Sequence, residues 1–500
     1  MNSHLIDQLK LILKPIAFIQ IILSIFMVIS GIIALFNNET EAFIGFFKTV
    51  GIVVLISLII LLFSRSKVKK ELTIRSGFVI VLMIWVSTCM SGALVYMLTN
   101  SIPNHADAVF ESVSGFTTTG ASILTDIEGL PNSVLFWRAL SHWIGGGGIV
   151  VLSVAILPLL GIGGSQLMKA ETSGVTKEKL TPRIAQTAKY IWLLYLSLNI
   201  VAIILLMFGG MNLLDAFSHA SSAIATGGFS SKNTSVGYFN SAYIEWVLIF
   251  FMYVGSLNFL VLIKAIKGNF KSITLSSELK TFTAIVVLSS FFIAGVLYFT
   301  TDSVKDLNGV TLSGVHDFIR TSFFHVVSII STTGFATADY GLWAPATQVI
   351  LFLLYFIGGS SGSTSGGIKV VRHIIMFKQA VINVKSLIHP KAIFTMRIDG
   401  QPISNRVIIT VLGFIVVYMT VLFIGTTIVA FSPNTTVFEA FISMLASLGT
   451  VGVGFYSVGP AGNYGYMPGF AKYVLSFGML IGRLELFTVL ILFTPWFWRK

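Results

Sequence analysis

The sequence has one cysteine and few charged residues, and each shortage excludes a class of protein. Cys89 stands alone, so the chain cannot form an internal disulfide, and a thiolate metal site is excluded. Charged residues make up 10% of the 500 residues, whereas soluble domains carry about 25%. With 55% hydrophobic residues and a mean hydropathy of +0.89, the composition predicts an all-α polytopic membrane protein.

Motifs typical of enzymes are absent as well. The chain has no His-Glu-x-x-His pair, no nucleophile elbow and no phosphate loop between a strand and a helix. It also has no recognisable nucleic-acid-binding module, so the net charge of +12 is assigned to the loops between apolar runs. We therefore predict that the chain is not an enzyme, binds no nucleotide itself and has no nucleic acid as a partner.

Apolar runs of about 20 residues, long enough to cross a lipid bilayer, recur along the whole chain. Two such runs come first, and the later ones form pairs that flank shorter apolar stretches. A stretch of half that length cannot span the bilayer, but it can form a re-entrant helix where protein or water surrounds it. The predicted spans are 15–36, 46–63, 77–98, 135–160, 190–208, 243–263, 282–299, 408–431, 473–496 and a broken helix from Trp343.

Lysine and arginine are concentrated in the loops that join these units. Because such loops stay in the cytoplasm, we expect both termini to be cytoplasmic and the shorter stretches to open to the outside. Lys232, Lys305 and Arg320 are the exceptions on the outer side. The basic loop residues are Arg65, Lys67, Lys69, Lys70, Arg75, Lys169, Lys177, Lys179, Arg183, Lys264, Lys267, Lys271, Lys280, Lys369, Arg372, Lys378, Lys385, Lys391, Arg397 and Arg406.

Four similar windows recur at intervals of roughly 110 residues, as in a repeat architecture. A threonine stands two residues before each central glycine, and a phenylalanine stands ten or eleven residues before it. Asp107, Asp215 and Glu439 stand thirteen residues before three of them, where a carboxylate can cap a short helix or oppose its positive end. The central glycines are Gly120, Gly228, Gly334 and Gly452.

The stretch Thr-Val-Gly-Val-Gly around Gly452 is typical of an ion selectivity filter, in which backbone carbonyls replace the hydration shell of a cation. A plain turn would also use glycine, which reaches positive φ at low cost, but the agreement of four windows favours the filter. In the second window Gly228 is preferred to Gly227, because Gly228-Phe229 matches Gly334-Phe335. The candidate K⁺-binding residues are Thr118, Thr119, Gly120, Thr226, Gly227, Gly228, Thr332, Thr333, Gly334, Thr450, Val451 and Gly452.

A run of small and polar residues interrupts the apolar run that begins at Trp343. A flexible linker is disfavoured, because exposed backbone polar groups in lipid are destabilising. A phosphate loop is disfavoured, because no strand precedes it. We expect irregular backbone that lines a water-filled cavity. The segment consists of Gly358, Gly359, Ser360, Ser361, Gly362, Ser363, Thr364, Ser365, Gly366 and Gly367.

Arg483 lies in the middle of the last predicted span. A charged residue at the centre of a bilayer costs about 2.5–3.5 kcal/mol, so the side chain should face the protein interior. An ion pair with Glu485 is the alternative role for this arginine. Because residues two apart do not share a helix face, we expect Glu485 to pair with a different helix.

Four non-identical repeats in one chain, each with a single filter glycine, resemble the Trk/Ktr/HKT superfamily of potassium transporters. The two extra N-terminal helices and the length make the chain most similar to the TrkH type of membrane subunit, with the shorter KtrB type as a near alternative. The resemblance covers essentially the whole chain and implies four pseudo-symmetric repeats around a central pore. The implied units are an N-terminal pair of helices at 1–71, then repeats at 72–185, 186–277, 278–402 and 403–500.

The resemblance also implies a function. Members of the family take up potassium through a channel-like pore in the bacterial inner membrane, as homodimers under a cytosolic ring of RCK/KTN subunits such as TrkA that bind NAD- or ATP-type nucleotides. Residues 358–367 correspond to the family's intramembrane gate, and Arg483 corresponds to a positive barrier in the pore. Sodium-preferring members have serine at the first filter position, so Gly120 favours potassium. A Na⁺-coupled or Na⁺-preferring member stays open, and so, less strongly, does a solute symporter with broken helices.

Overall fold

A computed structural model of the chain describes residues 2–65, 74–148, 184–301 and 304–499. Helices dominate these ranges, and the strands in them form two short antiparallel hairpins, Val304–Lys305 with Thr311–Leu312 and Arg397–Ile398 with Gln401–Pro402. The predicted all-α membrane fold is confirmed. The α-helices are Asn2–Phe36, Thr40–Phe63, Ile74–Leu98, His105–Phe116, Asn132–Gly147, Ile184–Phe208, Leu213–Ala225, Ala242–Gly255, Phe259–Ile266, Lys271–Leu275, Ser277–Thr300, Val315–Ile330, Pro345–Leu354, Val370–Ile388, Asn405–Val429, Val437–Leu448, Gly469–Arg483, Leu486–Leu490 and Pro495–Trp498.

One order of elements occurs four times: a long helix, a short helix, a glycine-bearing turn and a second helix. The long helices expose apolar side chains, which suits contact with lipid, whereas the short helices are buried over most of their length. The four short helices are His105–Phe116, Leu213–Ala225, Val315–Ile330 and Val437–Leu448. The second helices begin as Asn132–Gly147, Ala242–Gly255, Pro345–Leu354 and Gly469–Arg483.

Three of the four short helices begin with a side-chain cap. The side chains of Asn104, Asn212 and Thr436 cap the first, second and fourth of them. Asp107 and Asp215 therefore lie inside the first turn, and so does Glu439, because the helices begin earlier than a cap at those positions requires. There the three carboxylates oppose the positive end of each helix dipole.

Six of the described helices are long and apolar enough to cross a membrane, and two bent pairs raise the number to eight. The prediction of one continuous helix over 243–263 was wrong, because the chain bends by 102° between Ala242–Gly255 and Phe259–Ile266. Asn258 lies at this break and caps the second piece by accepting from the N–H groups of Leu260 and Val261. The predicted helix 473–496 also bends, by 112°, at Glu485, which has a φ of 60°.

The third repeat breaks where the sequence predicts. Its second helix stops at Leu354, and Val370–Ile388 begins beyond residues 358–367. In the first repeat the helix Asn132–Gly147 covers the start of the predicted span, and residues 149–160 lie outside the described residues. Lys67, Lys69, Lys70, Lys169, Lys177, Lys179 and Arg183 also lie outside them. The repeat boundaries stay predictions.

Candidate functional site

The four central glycines form a closed ring in which each faces a carbonyl oxygen of the following repeat. A methyl group built on any of these glycines would overlap that oxygen, so no side chain fits there without moving it. The turns therefore surround one axis. The distances from such a methyl group to the facing oxygen are 2.1 Å for Gly120 to Gly227, 2.0 Å for Gly228 to Thr333, 2.1 Å for Gly334 to Val451 and 2.0 Å for Gly452 to Thr119.

The backbone of each turn alternates in handedness. The threonines two residues before the glycines have φ of 52° to 61°, the glycines have φ of 80° to 86°, and no residue between them has a positive φ. This alternation distinguishes the turns from a regular strand, in which φ is negative at every residue. One equivalent hydrogen bond ties each turn to its short helix: Thr119 N–H to Ser114 (2.9 Å), Gly227 N–H to Ser222 (2.7 Å), Thr333 N–H to Ser328 (2.8 Å) and Val451 N–H to Ala446 (2.8 Å).

In the first three repeats the protein leaves these carbonyls unused. Within the described part of the chain, no donor bonds to the carbonyl oxygens of residues 118–120, 226, 228 or 332–334. Buried carbonyls normally accept a hydrogen bond, so these oxygens are suited to a bare cation. No group of three or more His, Cys, Asp or Glu side chains in the same ranges could hold a metal ion. The site therefore offers backbone carbonyl oxygens and, at Thr118 and Thr450, buried hydroxyl oxygens without a partner among the described residues.

The fourth repeat differs, because three buried tyrosines donate to its carbonyls. In repeats two and three, Ser222 and Ser328 hold the carbonyl that follows the glycine. Ala446 stands at the equivalent position in repeat four and has no hydroxyl, so the tyrosines take over. The hydroxyl bonds are Tyr464 to Gly452 (2.8 Å), Tyr355 to Val453 (2.7 Å) and Tyr340 to Gly454 (2.8 Å).

The short helices aim their C-terminal ends at the ring. Each of them leads directly into a glycine-bearing turn. The C-terminal end of a helix carries the equivalent of about −0.5 elementary charge. Four such ends around one axis favour a cation and disfavour an anion.

A position nine residues before each glycine was missed from the sequence. In three repeats its side chain reaches from the short helix to the segment that leaves the turn and fixes that segment. In repeat four, Ser443 bonds instead to Glu439 on its own helix, at 2.6 Å. The sequence signal for this position is its constant spacing of nine residues from the central glycines. The contacts are Glu111 with Ser122 (3.0 Å), His219 with Ser230 (2.9 Å) and His325 with Ala338 (3.1 Å).

A buried ion pair lies behind the first two turns. Arg138 is 2% exposed and bonds to Glu111, which is 0% exposed, at 2.7 Å. The Arg138 guanidinium also lies 4.0 Å over the Phe229 ring. His142 accepts from the Phe229 N–H at 3.0 Å and meets the Gly115 carbonyl at 2.7 Å. Since a carbonyl can only accept and an amide can only donate, this imidazole is neutral with its proton on Nδ1.

Residues 358–367 lie against the threonine side of the ring. The N–H of Gly366 donates to Thr332 Oγ1 at 2.8 Å, and a methyl group on Gly366 would lie 1.8 Å from Thr450 Oγ1. The Thr364 hydroxyl contacts the carbonyls of Ile224 (2.8 Å) and Gly255 (2.9 Å). The segment therefore touches the turns or short helices of repeats two, three and four.

Arg483 lies at the end of its helix and bonds across the molecule. Its guanidinium donates to the carbonyl of Thr364 at 2.5 Å and to that of Gly145 at 2.7 Å. It thus connects residues 358–367 to the second helix of repeat one. Glu485 pairs with Arg372 at 2.7 Å, so the prediction that it would pair with another helix is confirmed.

Comparisons with known proteins give a consistent result. The model of the TrkH family, described as cation transport protein, matches residues 45–500. The chain is 37% identical to the Trk system potassium uptake protein TrkH of Salmonella typhimurium, over 98% of this chain and 99% of that protein. It is 34% identical to the Trk system potassium uptake protein TrkG of Escherichia coli, over 99% of each. The crystal structure of the potassium transporter TrkH from Vibrio parahaemolyticus superposes with a TM-score of 0.86 at 34% identity, covering 98% of this chain and 100% of that one.

Proposed function

The chain belongs to the TrkH family of cation transport proteins, and on that premise we propose that it carries K⁺ across a cell membrane through the ring of glycines. The transported ion is its ligand, and no catalytic residue is assigned. The ring of backbone carbonyl oxygens, which in the first three repeats are largely without a donor from the described residues, is the observation that carries the proposal, together with the four helix ends aimed at it. Such oxygens replace the hydration shell of a permeating K⁺, and they coordinate Na⁺ less favourably.

We propose further that residues 358–367 and Arg483 close the path below the ring. The support is geometric, because the segment contacts two of the ring threonines and Arg483 bonds to it. A guanidinium near the path repels an approaching cation, and this repulsion is strong where little water is present. Opening then requires both the segment and the arginine to move.

Opening is proposed to depend on partners. Relatives are named as members of a Trk system, and the family resemblance supports a homodimer under a cytosolic ring of RCK/KTN subunits that bind NAD- or ATP-type nucleotides. The basic loops support a cytoplasmic location for both termini in the bacterial inner membrane. The nucleotide would act through the cytosolic ring of RCK/KTN subunits.

Rb⁺ uptake into vesicles that contain the purified chain tests the proposal. The expected result is saturable uptake that K⁺ inhibits at lower concentration than Na⁺ does, with no inhibition by sugars or amino acids. Equal inhibition by Na⁺ would instead indicate a sodium-preferring member. Inhibition by an organic solute would indicate a symporter. Addition of a ring subunit with NAD or ATP then measures the dependence on partners.

A further inference from the structure

We propose that Glu278 anchors residues 358–367 in the closed position, and that the hairpin at 397–402 positions this anchor from the cytoplasmic side. The proposal rests on the gate role proposed above. It adds a positioning residue that lies in a different helix and touches neither the ring nor the ion path.

The anchor is a direct contact. Glu278 Oε1 accepts a hydrogen bond from the Ser361 N–H at 2.7 Å, and both residues are buried. A buried N–H that loses its acceptor is left unsatisfied, which is destabilising. On the other side of the segment, Lys369 donates to the Ser365 carbonyl, and Arg483 donates to that of Thr364. Glu278 is thus the acidic side chain among the charged residues that bond to the backbone of the segment.

The anchor is fixed from below by its neighbour in sequence. Glu278 lies in the first turn of Ser277–Thr300, and the N–H of Ser277 donates to Asp399 Oδ1 at 2.6 Å. Asp399 and Gly400 form the turn of the hairpin, with φ of 49° and 77°. Two positive φ values in an Asp-Gly pair are typical of a tight two-residue hairpin turn, which holds Asp399 in one place.

The hairpin also holds the helix that leaves the gate segment. A separate hydrophobic cluster joins Met396 and Ile398 to Val371 and Ile375 of Val370–Ile388. The Lys378 ammonium donates to the Arg397 carbonyl at 2.7 Å. The hairpin therefore contacts the helix that carries the anchor and the helix that continues the segment. The turn of the hairpin is exposed. A displacement of the turn would therefore move both helices that adjoin residues 358–367.

Removal of the anchor is expected to open the path in the absence of a ring subunit. Glu278→Ala leaves the Ser361 N–H without its acceptor, and loss of such a bond shifts an equilibrium by roughly three- to tenfold. We expect the initial rate of Rb⁺ uptake into vesicles to rise by a factor in this range. Glu278→Gln keeps an oxygen that can accept the bond, so it should restore most of the wild-type rate.

Ser290→Ala is the matched control. Ser290 lies near the middle of the same helix, and its hydroxyl has no hydrogen-bond partner among the described residues. Its uptake should stay at the wild-type rate, and the inhibition ratio of K⁺ to Na⁺ should stay unchanged in every variant because the ring is untouched. Asp399→Ala, at an exposed turn, should raise the rate less than Glu278→Ala, and it carries the test if that variant does not fold.

Two results would overturn the proposal: no rise in either Glu278→Ala or Asp399→Ala, or an equal rise in Ser290→Ala. Arg483→Gln in the same assay separates this failure from failure of the gate itself. If Arg483→Gln increases uptake while Glu278→Ala and Asp399→Ala do not, the gate stands and the anchor is wrong. If none of them increases uptake, the gate role of residues 358–367 is wrong as well.

Discussion

The hydroxyl of Tyr464 donates a 2.8 Å hydrogen bond to the carbonyl oxygen of Gly452. Tyr464 approaches from behind the ring of glycines. Its aromatic side chain packs 5.3 Å from that of Phe110, and its N–H donates to the Ser122 carbonyl. The equivalent carbonyls of Gly120, Gly228 and Gly334 accept no bond from the described residues. The ring is therefore chemically uneven, with one glycine carbonyl shared between the protein and any ion.

Tyr464→Phe should strengthen K⁺ binding. The substitution keeps the buried aromatic side chain and leaves the Gly452 carbonyl free to bind the ion. Since a hydrogen bond is worth about 1 kcal/mol net, the K⁺ concentration for half-maximal inhibition of Rb⁺ uptake should fall about fivefold. Tyr340→Phe is the control, because Gly454 keeps a contact from Tyr355 at 3.4 Å. An unchanged or higher K⁺ requirement in Tyr464→Phe would contradict this prediction.

Gly120→Ser should weaken discrimination against Na⁺. The new Cβ would lie 2.1 Å from the Gly227 oxygen and push it from its place in the ring. Loss of one oxygen ligand predicts a drop of roughly tenfold in the ratio of K⁺ to Na⁺ inhibition of uptake. Gly210→Ser has a similar backbone strain, with φ of 96°, but no atom within 4 Å of its Cβ. A ratio that falls equally in both variants would assign the effect to strain alone.

Arg483 variants should separate charge from hydrogen bonding. Arg483→Gln removes the positive charge and keeps an amide donor, whereas Arg483→Lys keeps the charge and loses the two-armed contact. If the barrier is electrostatic, uptake should rise several-fold in Arg483→Gln and in Arg483→Ala, and stay near wild type in Arg483→Lys. Equal increases in Arg483→Gln and Arg483→Lys would show that the bonds to Thr364 and Gly145 keep the path closed.

The pair of Arg138 and Glu111 should be sensitive to single substitutions. Arg138→Met leaves a buried carboxylate without its partner, which costs about 3–5 kcal/mol. Thermal unfolding in detergent should show a large loss for Arg138→Met and a smaller one when Glu111→Gln is added. Additive losses in the double variant would mean that the two side chains act independently.

The glycine ring could be predicted because its constraint is local. Glycine at the centre and threonine two residues earlier follow from backbone conformation, and four copies made that pattern visible in the sequence. Glu111, His219 and His325 have the same spacing from their central glycines. Their residue types differ, because each of them bonds to a different kind of atom. Only the shared role, seen in three dimensions, identifies them as equivalent.

The bends in the second and fourth repeats were harder to predict. Hydropathy averages over a window, so a continuous apolar run hides a break. The local signals were present, since Gly255 ends one helix and Asn258 caps the next. Glu485 carried no such signal, because a positive φ is unusual for glutamate and its partner Arg372 lies in another repeat. The tyrosines that serve repeat four were also invisible, because the other repeats have no counterpart.

The ring has a direction. Bulk added at Gly334 would displace the carbonyl of Val451 in repeat four, and bulk added at Gly452 would displace that of Thr119 in repeat one. A substitution at a glycine of one repeat thus displaces a carbonyl oxygen of the next repeat. A second substitution that compensates for it is best sought in that next repeat. A substitution in the next repeat that withdraws the crowded oxygen would be the natural suppressor.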